Sequence, residues 1–376
     1  MGILSAGKNG VVGVDVRMYH KSGIGRYIRS LLPGLINSTG YRYDLYGYEE
    51  DRGSFAEFPR AEFIPVTSRI YLPKEHIELA RKIRPCDLYF SPHFIHPLFK
   101  IPAKRRVITV HDVFHISGRS IFNPLQKLYM KTLYDRCIRK ADEIITVSEF
   151  SKSEIEKYFP HSRGKITVIP FYTDRSNFFI LDKSARAEIK KQITANCGFD
   201  FSHPYILYVG NIKPHKNLLR LLEAFRQNHN RELYLLIVGE REGFIGREKD
   251  FDKKIEGIPR IVFTGKISDE MIRGLYNLAE FFIFPSYYEG FGSPPLEAMA
   301  CGAPIAASDI PVLREVCGGA VFYFDPYSVD SIARAIDTLD SDPALRERLM
   351  RAGTERLGHF SPERNLRSHL EVLFKE

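Results

Sequence analysis

The chain has 376 residues, 44% hydrophobic and 27% charged, an ordinary globular composition but more chain than one hydrophobic core usually holds. Its five cysteines are scattered without a Cys-x-x-Cys pair, which argues against a disulfide scaffold or a zinc site and for reduced thiols in a cytoplasmic protein. No apolar run approaches the ~18 residues of a membrane span, and the net charge of +8 is dispersed without a nucleic-acid module, so nucleic acid is not an expected partner.

Residues 1–10 contain Lys8 and lack a long apolar core, so they read as a short extension and not as a signal peptide. From there β-branched apolar runs alternate with helical patterns, the pattern of parallel sheets built from βαβ units. Residues 10–16 are predicted as a strand and 27–35 as the following helix. Strands follow at 106–110, ending at His111-Asp112, and at 143–147, after which Ser148 caps a helix at 151–159. A strand at 166–169 closes the first series, and 175–203 reads as a linker carrying a helix at 185–196. The series then restarts with strands at 205–209, 233–238, 261–264 and 281–284, and helices at 217–226, 269–277 and 296–300. Residues from about 359 onward look helical again. Two successive series imply two doubly wound α/β domains, in which ligands bind beyond the carboxyl ends of the strands.

The most informative segment is Pro285-Ser-Tyr-Tyr-Glu-Gly-Phe-Gly-Ser-Pro-Pro-Leu-Glu-Ala-Met-Ala-Cys-Gly302. Glu289 and Glu297 flank a Gly-x-Gly turn that runs into a helix start, with Ser293 suited to the N-cap and Pro294 and Pro295 to the first helical positions. Gly290 and Gly292 allow close backbone approach, and helix N-terminal amides favour an anion. A carboxylate beside an anion site is tolerable when it is aimed at hydroxyl groups. Phosphate together with a polyol is the chemistry of a sugar nucleotide.

This segment resembles the Glu-x7-Glu motif of the retaining family 4 glycosyltransferases, which have the two-domain GT-B fold. The likeness extends in order along most of the chain. It implies two Rossmann-like domains facing a central cleft: an acceptor domain at 1–178, a sugar-nucleotide domain at 179–358, and a C-terminal helix at 359–376 crossing back to the first. It implies that Glu297 binds the ribose hydroxyls, that Glu289 holds hydroxyls of the transferred sugar, and that Phe291, Gly292 and neighbouring amides contact sugar and phosphate. Gly210 makes the tight turn in Tyr208-Val-Gly-Asn-Ile-Lys-Pro-His-Lys-Asn217, where the resemblance gives Lys216 the diphosphate. Many relatives place an arginine where Asn211 stands, leaving Lys213 or His215 as substitutes. Gly265 and Ile267 are candidates for the wall around the nucleobase.

In the first half, Gly23-x-Gly25 lacks the third glycine of a dinucleotide fingerprint, since Ile28 stands there. The resemblance instead brings the Gly25 amide to the distal phosphate, and makes Arg17, Tyr19 and Arg26 acceptor-side residues. It places His111 against the transferred sugar, with Ser91 and His93 lining the acceptor side. The expected reaction is transfer of a hexose, mannose before glucose, from GDP-mannose or UDP-glucose to a glycan or lipid-linked glycan. It needs no metal and no cofactor. The basic balance fits a peripheral contact with the inner face of the membrane.

Other motifs carry less. Gly2-x4-Gly7-Lys8 lacks the Ser/Thr of a phosphate-binding loop, since Asn9 follows. Asp250-Phe-Asp252 imitates a metal-binding pair but lacks its strand, and His111-x3-His115 follows a strand instead of lying on a helix. Two rival functions remain: a glycoside hydrolase using Glu289 and Glu297 as acid and base, and a sugar-nucleotide-binding protein or epimerase of the same fold.

Overall fold

The computed structural model describes residues 10–117, 122–239 and 260–375. These fall into two compact units, the first made of 10–117, 122–171 and 362–375, the second of 172–239 and 260–361.

The first unit holds β1 (Val11–Asp15), β2 (Arg42–Gly47), β3 (Ala61–Pro65), β4 (Cys86–Ser91), β5 (Ala103–Thr109), β6 (Glu143–Thr146) and β7 (Ile166–Val168). They pair in the order β3-β2-β1-β4-β5-β6-β7, every pair parallel. The second unit holds β8 (Tyr205–Val209), β9 (Tyr234–Val238), β10 (Ile261–Gly265), β11 (Phe281–Phe284), β12 (Ile305–Ser308) and β13 (Phe322–Phe324). Their order is β10-β9-β8-β11-β12-β13, again all parallel.

Parallel strands require crossover connections that cover both faces, so central strands are unbroken apolar runs. Tyr-Ile-Leu-Tyr-Val of β8 and Phe-Phe-Ile-Phe of β11 are buried at every position. β2 and β3 carry Arg42, Asp44, Glu62 and a terminal Pro65 and lie at the outer side of their sheet, so no apolar run announces them. Ser148 caps the helix Glu149–Tyr158 as expected, its hydroxyl accepting the Ser151 N–H at 3.0 Å.

The closing helix Pro362–Leu373 belongs to the first unit. Leu370 and Leu373 join the core around Leu31 and Leu35, and Asn365 Nδ2 donates to the Pro170 carbonyl at 2.6 Å. In each sheet the strand order reverses once, between β1 and β4 and between β8 and β11. Loops leaving the carboxyl ends of two such strands diverge, and the gap between them is where open α/β sheets bind ligands. Of the three glycine-containing loops singled out in the second half of the sequence, those of Gly210 and of Gly290 and Gly292 leave β8 and β11, and that of Gly265 leaves β10.

Candidate functional site

At the second unit's switch point the loop after β8 meets the loop after β11. Tyr287 N–H donates to the His215 carbonyl at 3.0 Å, stitching the two backbones together. Asn217 adopts a left-handed conformation (φ 61°) between the short 3-10 turn Pro214–Lys216 and the helix Leu218–Gln227. Its Nδ2 donates to the Pro285 and Pro326 carbonyls at 3.0 and 2.7 Å, and its Oδ1 accepts from Arg220 at 2.9 Å. Asn217 is therefore the clip that fixes Lys216. The Lys216 ammonium reaches Glu289 Oε1 at 2.6 Å and stands 5.5 Å from the Phe284 ring centre. The pair is mostly withdrawn from water, with side chains 18% and 12% exposed. Burial, then the nearby Glu289 carboxylate, pushes the Tyr208 phenol far above its usual range, so that hydroxyl stays protonated beside the pair.

The motif helix spans Ser293–Ala300, with Gly292 and not Ser293 at its N-cap. Gly292 is left-handed (φ 91°), and a Cβ there would meet Leu313 Cδ2 at 2.8 Å, so only glycine fits. The one-residue shift matters chemically. Of the first-turn amides, those of the second and third helical positions are missing because Pro294 and Pro295 occupy them. This helix start offers an anion the Ser293 N–H and the preceding loop, not a full turn of donors. Gly290 is buried. The Phe291 ring is also buried, edge-on to Phe360 at 5.9 Å, so this residue can meet a ligand only through its backbone. Glu297 is buried on the helix, with Oε2 3.5 Å from the Tyr276 hydroxyl.

Glycine directly follows β8 and β9 and closes their neighbour β10. Gly210 N–H donates to Val238 O at 3.0 Å and Gly239 N–H to Gly265 O at 3.2 Å. A Cβ on Gly239 would lie 2.2 Å from the Gly210 carbonyl oxygen, while one on Gly265 would meet nothing within 4 Å among the described residues. Among the described residues, Gly210, Gly239 and Gly265 present backbone without side chains beyond β8, β9 and β10, with Ile267 half-buried just past them. The Asn211 carbonyl accepts the Lys213 N–H at 2.9 Å. Gly239 was missed in the sequence, although Val-Gly after an apolar run repeats the Val209-Gly210 signature.

In the first unit His111 follows the end of β5. Its Nε2 donates to the Pro92 carbonyl at 2.9 Å, which leaves Nδ1 as the lone-pair nitrogen of the neutral ring. Burial lowers its pKa and favours that neutral form. Tyr27 packs edge-on against it at 4.9 Å. The Tyr27 hydroxyl accepts from Thr109 at 3.2 Å and donates to His369 Nε2 at 2.6 Å, while His369 Nδ1 donates to the Asn365 carbonyl at 2.8 Å. Burial holds the His369 pKa at about 4, so this chain is uncharged. Neither Tyr27 nor His369 was singled out from the sequence, because their partners are remote.

Four expectations for this unit change. Gly25 lies inside the helix Ser22–Ser38 and its N–H already donates to Lys21 O at 2.8 Å, so it is not available to a phosphate. Gly25 is glycine because a Cβ would lie 2.5 Å from the Tyr19 carbonyl oxygen. Gly23 and Ile24 carry the first-turn amides instead. Arg17 is fully buried, with Nη2 on Asp15 at 2.6 Å and Nη1 on Glu75 at 2.7 Å, which makes it structural. Burial alone would raise the Asp15 carboxyl, but Arg17 and then His93 outweigh it and hold it well below the carboxylate range. Ser91 donates to the Ile95 carbonyl at 2.5 Å, and His93 Nε2 lies 3.1 Å from Asp15, so both are turned into the protein.

Among the described residues no three His, Cys, Asp or Glu side chains gather as a metal site requires. Asp250, Asp252 and the Gly2–Lys8 motif lie outside the described residues.

A family model described as Glycosyl transferases group 1 matches residues 190–356, and one described as Glycosyltransferase Family 4 matches residues 21–175. The chain is similar to O-antigen chain mannosyltransferase B of Escherichia coli, 32% identical over 288 residues, which is 73% of this chain and 71% of that protein. It is 30% identical to O-antigen chain mannosyltransferase RfbU of Salmonella typhimurium strain LT2 over 65% of this chain and 63% of that protein. Among solved structures, sucrose-phosphate synthase from Thermosynechococcus elongatus superposes with a TM-score of 0.76 at 21% identity, covering 97% and 98% of the two chains, a likeness of fold alone.

Proposed function

The chain belongs to the family 4 glycosyltransferases of GT-B fold, and on that premise we propose that it moves a mannosyl group from GDP-mannose to a glycan or lipid-linked glycan, with retention and without a metal. Similarity to two mannosyltransferases favours mannose over glucose, and with it GDP-mannose over UDP-glucose. The observation that carries the reading is the Lys216–Glu289 pair at the second sheet's switch point.

Breaking the anomeric bond leaves negative charge on the diphosphate, and a preplaced cation lowers that barrier. Lys216 is such a cation, and its ammonium is hydrogen-bonded to Glu289. Donor binding exchanges these partners: the diphosphate takes Lys216, and Glu289, released from it, accepts hydrogen bonds from sugar hydroxyls. The backbone at Gly210, Gly239 and Gly265 admits the flat nucleobase, with Ile267 beside it, and Glu297 takes the ribose. With two helical amides replaced by prolines, the Gly290-Phe291-Gly292 backbone and Ser293 N–H do the rest of the anion binding. His111 is assigned to the transferred sugar, where neutral Nδ1 accepts a hydrogen bond from a hydroxyl. Retention proceeds by front-face attack, the leaving phosphate accepting the acceptor's proton. A hydrolase needs Glu289 as acid or base, whereas here its carboxylate is bound to a lysine.

Incubation with GDP-mannose and UDP-glucose, each with and without a polyprenyl-linked oligosaccharide and after EDTA treatment, tests the proposal. An α-mannosylated acceptor formed from GDP-mannose, unaffected by EDTA, is expected. Free sugar without acceptor product, an inverted anomer, or activity restored only by added magnesium or manganese overturns the corresponding part.

A further inference from the structure

His111 has one nitrogen to offer, and its surroundings give that nitrogen a single direction. The ring Nε2–H is held by the Pro92 carbonyl at 2.9 Å, and the backbone carbonyl by the Ser151 hydroxyl at 2.9 Å. A half-turn about the bond from Cβ to the ring would break the Pro92 hydrogen bond and carry Nδ1 to the other side. Tyr27 stands against that rotation, its ring at 88° to the imidazole with the centres 4.9 Å apart. Side chains alternate along an extended chain, so Thr109, two residues before His111, projects to the same face. There its hydroxyl meets the far end of the same tyrosine at 3.2 Å.

Tyr27 is itself held, and by the last helix of the chain. Tyr27, Thr109 and His369 are all buried, and the Tyr27 hydroxyl lies 2.6 Å from His369 Nε2. His369 Nδ1–H donates to the Asn365 carbonyl one turn earlier, so its Nε2 carries the lone pair and accepts from Tyr27. The whole chain then has one sense: Thr109 O–H to Tyr27, Tyr27 O–H to His369, His369 N–H to the Asn365 carbonyl. Asn365 Nδ2 donates in turn to the Pro170 carbonyl at 2.6 Å, which pins the helix Pro362–Leu373 to the segment after β7. The next residue, Phe171, has its ring 6.1 Å from that of Tyr27. Hydrocarbon side chains would fill such a core at a lower desolvation cost. A buried polar chain in which every member is satisfied fixes one arrangement instead. What is fixed here is the ring beside His111.

We propose that Tyr27 and His369 are positioning residues for sugar transfer: His369, on the closing helix, holds the Tyr27 hydroxyl so that the Tyr27 ring keeps His111 Nδ1 in one orientation. Both act through His111 and not on the substrate. The inference rests on the assignment of His111 to the transferred sugar. It gives the closing helix a task in the reaction besides its contribution of Leu370 and Leu373 to the core.

Tyr27→Phe and His369→Leu each remove the bond between the two residues. Each is expected to lower kcat for sugar transfer about five- to tenfold, with KM for the nucleotide sugar unchanged. His369→Gln, whose side-chain carbonyl can accept from Tyr27, recovers most of that loss. In a His111→Ala background the same two substitutions should cost less than about twofold, since the group they position is gone. Tyr43→Phe is the control for lost stability, because β1 and β4 lie between its strand, β2, and β5. The buried Tyr43 hydroxyl is bonded to Thr39 at 2.7 Å and to the Leu35 carbonyl at 3.0 Å, and its removal should leave kcat alone. Imidazole nitrogen NMR of histidine-labelled protein reads the ring directly: one neutral Nε2–H tautomer of His111 in the wild type, a mixture in Tyr27→Phe and His369→Leu. Wild-type kcat in Tyr27→Phe, an equal loss in the His111→Ala background or in Tyr43→Phe, or an unchanged His111 spectrum in both variants each overturns the proposal. Full kcat in His111→Ala itself overturns the assignment of His111 to the sugar instead; whether Tyr27 and His369 hold its ring is then read from the spectrum alone.

Discussion

Glu289→Gln should tighten binding of the bare nucleoside diphosphate while it slows sugar transfer, an opposed pair of effects that a structural defect does not produce. Lys216 is 2.6 Å from Glu289 Oε1, with the two side chains 18% and 12% exposed. A charge-assisted hydrogen bond in such a position contributes about 1.5–3 kcal/mol. A diphosphate has to displace Glu289 to reach the ammonium. Glutamine keeps the shape and can accept a weaker bond, so the competition falls by about 1–2 kcal/mol, which is roughly a 5- to 30-fold lower Kd for GDP. The same change removes the anionic acceptor for sugar hydroxyls, and kcat with the nucleotide sugar should fall about a hundredfold. Titration calorimetry with GDP and a coupled assay with GDP-mannose read the two effects independently. If GDP affinity is unchanged or weaker in the variant, Lys216 does not exchange partners and the proposed route of donor binding is wrong.

Lys216→Ala should depress kcat more than donor affinity, because diphosphate charge grows toward the transition state; an effect confined to KM contradicts its assignment. Glu297→Ala should weaken nucleotide binding by about 1–3 kcal/mol per ribose hydrogen bond lost, and unchanged calorimetric affinity for both UDP and GDP removes it from the ribose site. Burial keeps the His76, His96 and His369 pKa values at about 4, below the unfolded value near 6.5. Between those values the unfolded chain binds more protons, so stability falls as the solution is acidified from 6.5 towards 4, by up to about 1.4 kcal/mol per pH unit for each fully buried ring. His369→Gln should flatten the Tm-against-pH curve in that window; an unaltered slope means that His369 is already protonated in the folded protein.

The alternation of elements and the placement of chemistry on loops were legible in the amino-acid sequence alone. Apolar runs such as Phe281–Phe284 reveal buried parallel strands because both of their faces are covered, and local hydrogen bonds such as the Ser148 cap depend on residues three apart. The spacing of Glu289 and Glu297 was legible for the same reason, since a loop and the first turn of the next helix are local structure. Which donors, acceptors and charges remain for a ligand depends on long-range packing. Gly25 looked like a phosphate contact until its amide proved to be inside a helix, and Ser293 looked like a cap until Gly292, in a left-handed conformation, proved to hold that place. Arg17 lost its acceptor role to Glu75, 58 residues away, and Lys216 met Glu289 only because β8 and β11, 73 residues apart at these side chains, are neighbours in one sheet. Periodicity sets local backbone geometry, but a side chain's free valence depends on what the fold sets against it, and strand order is not written in any local segment.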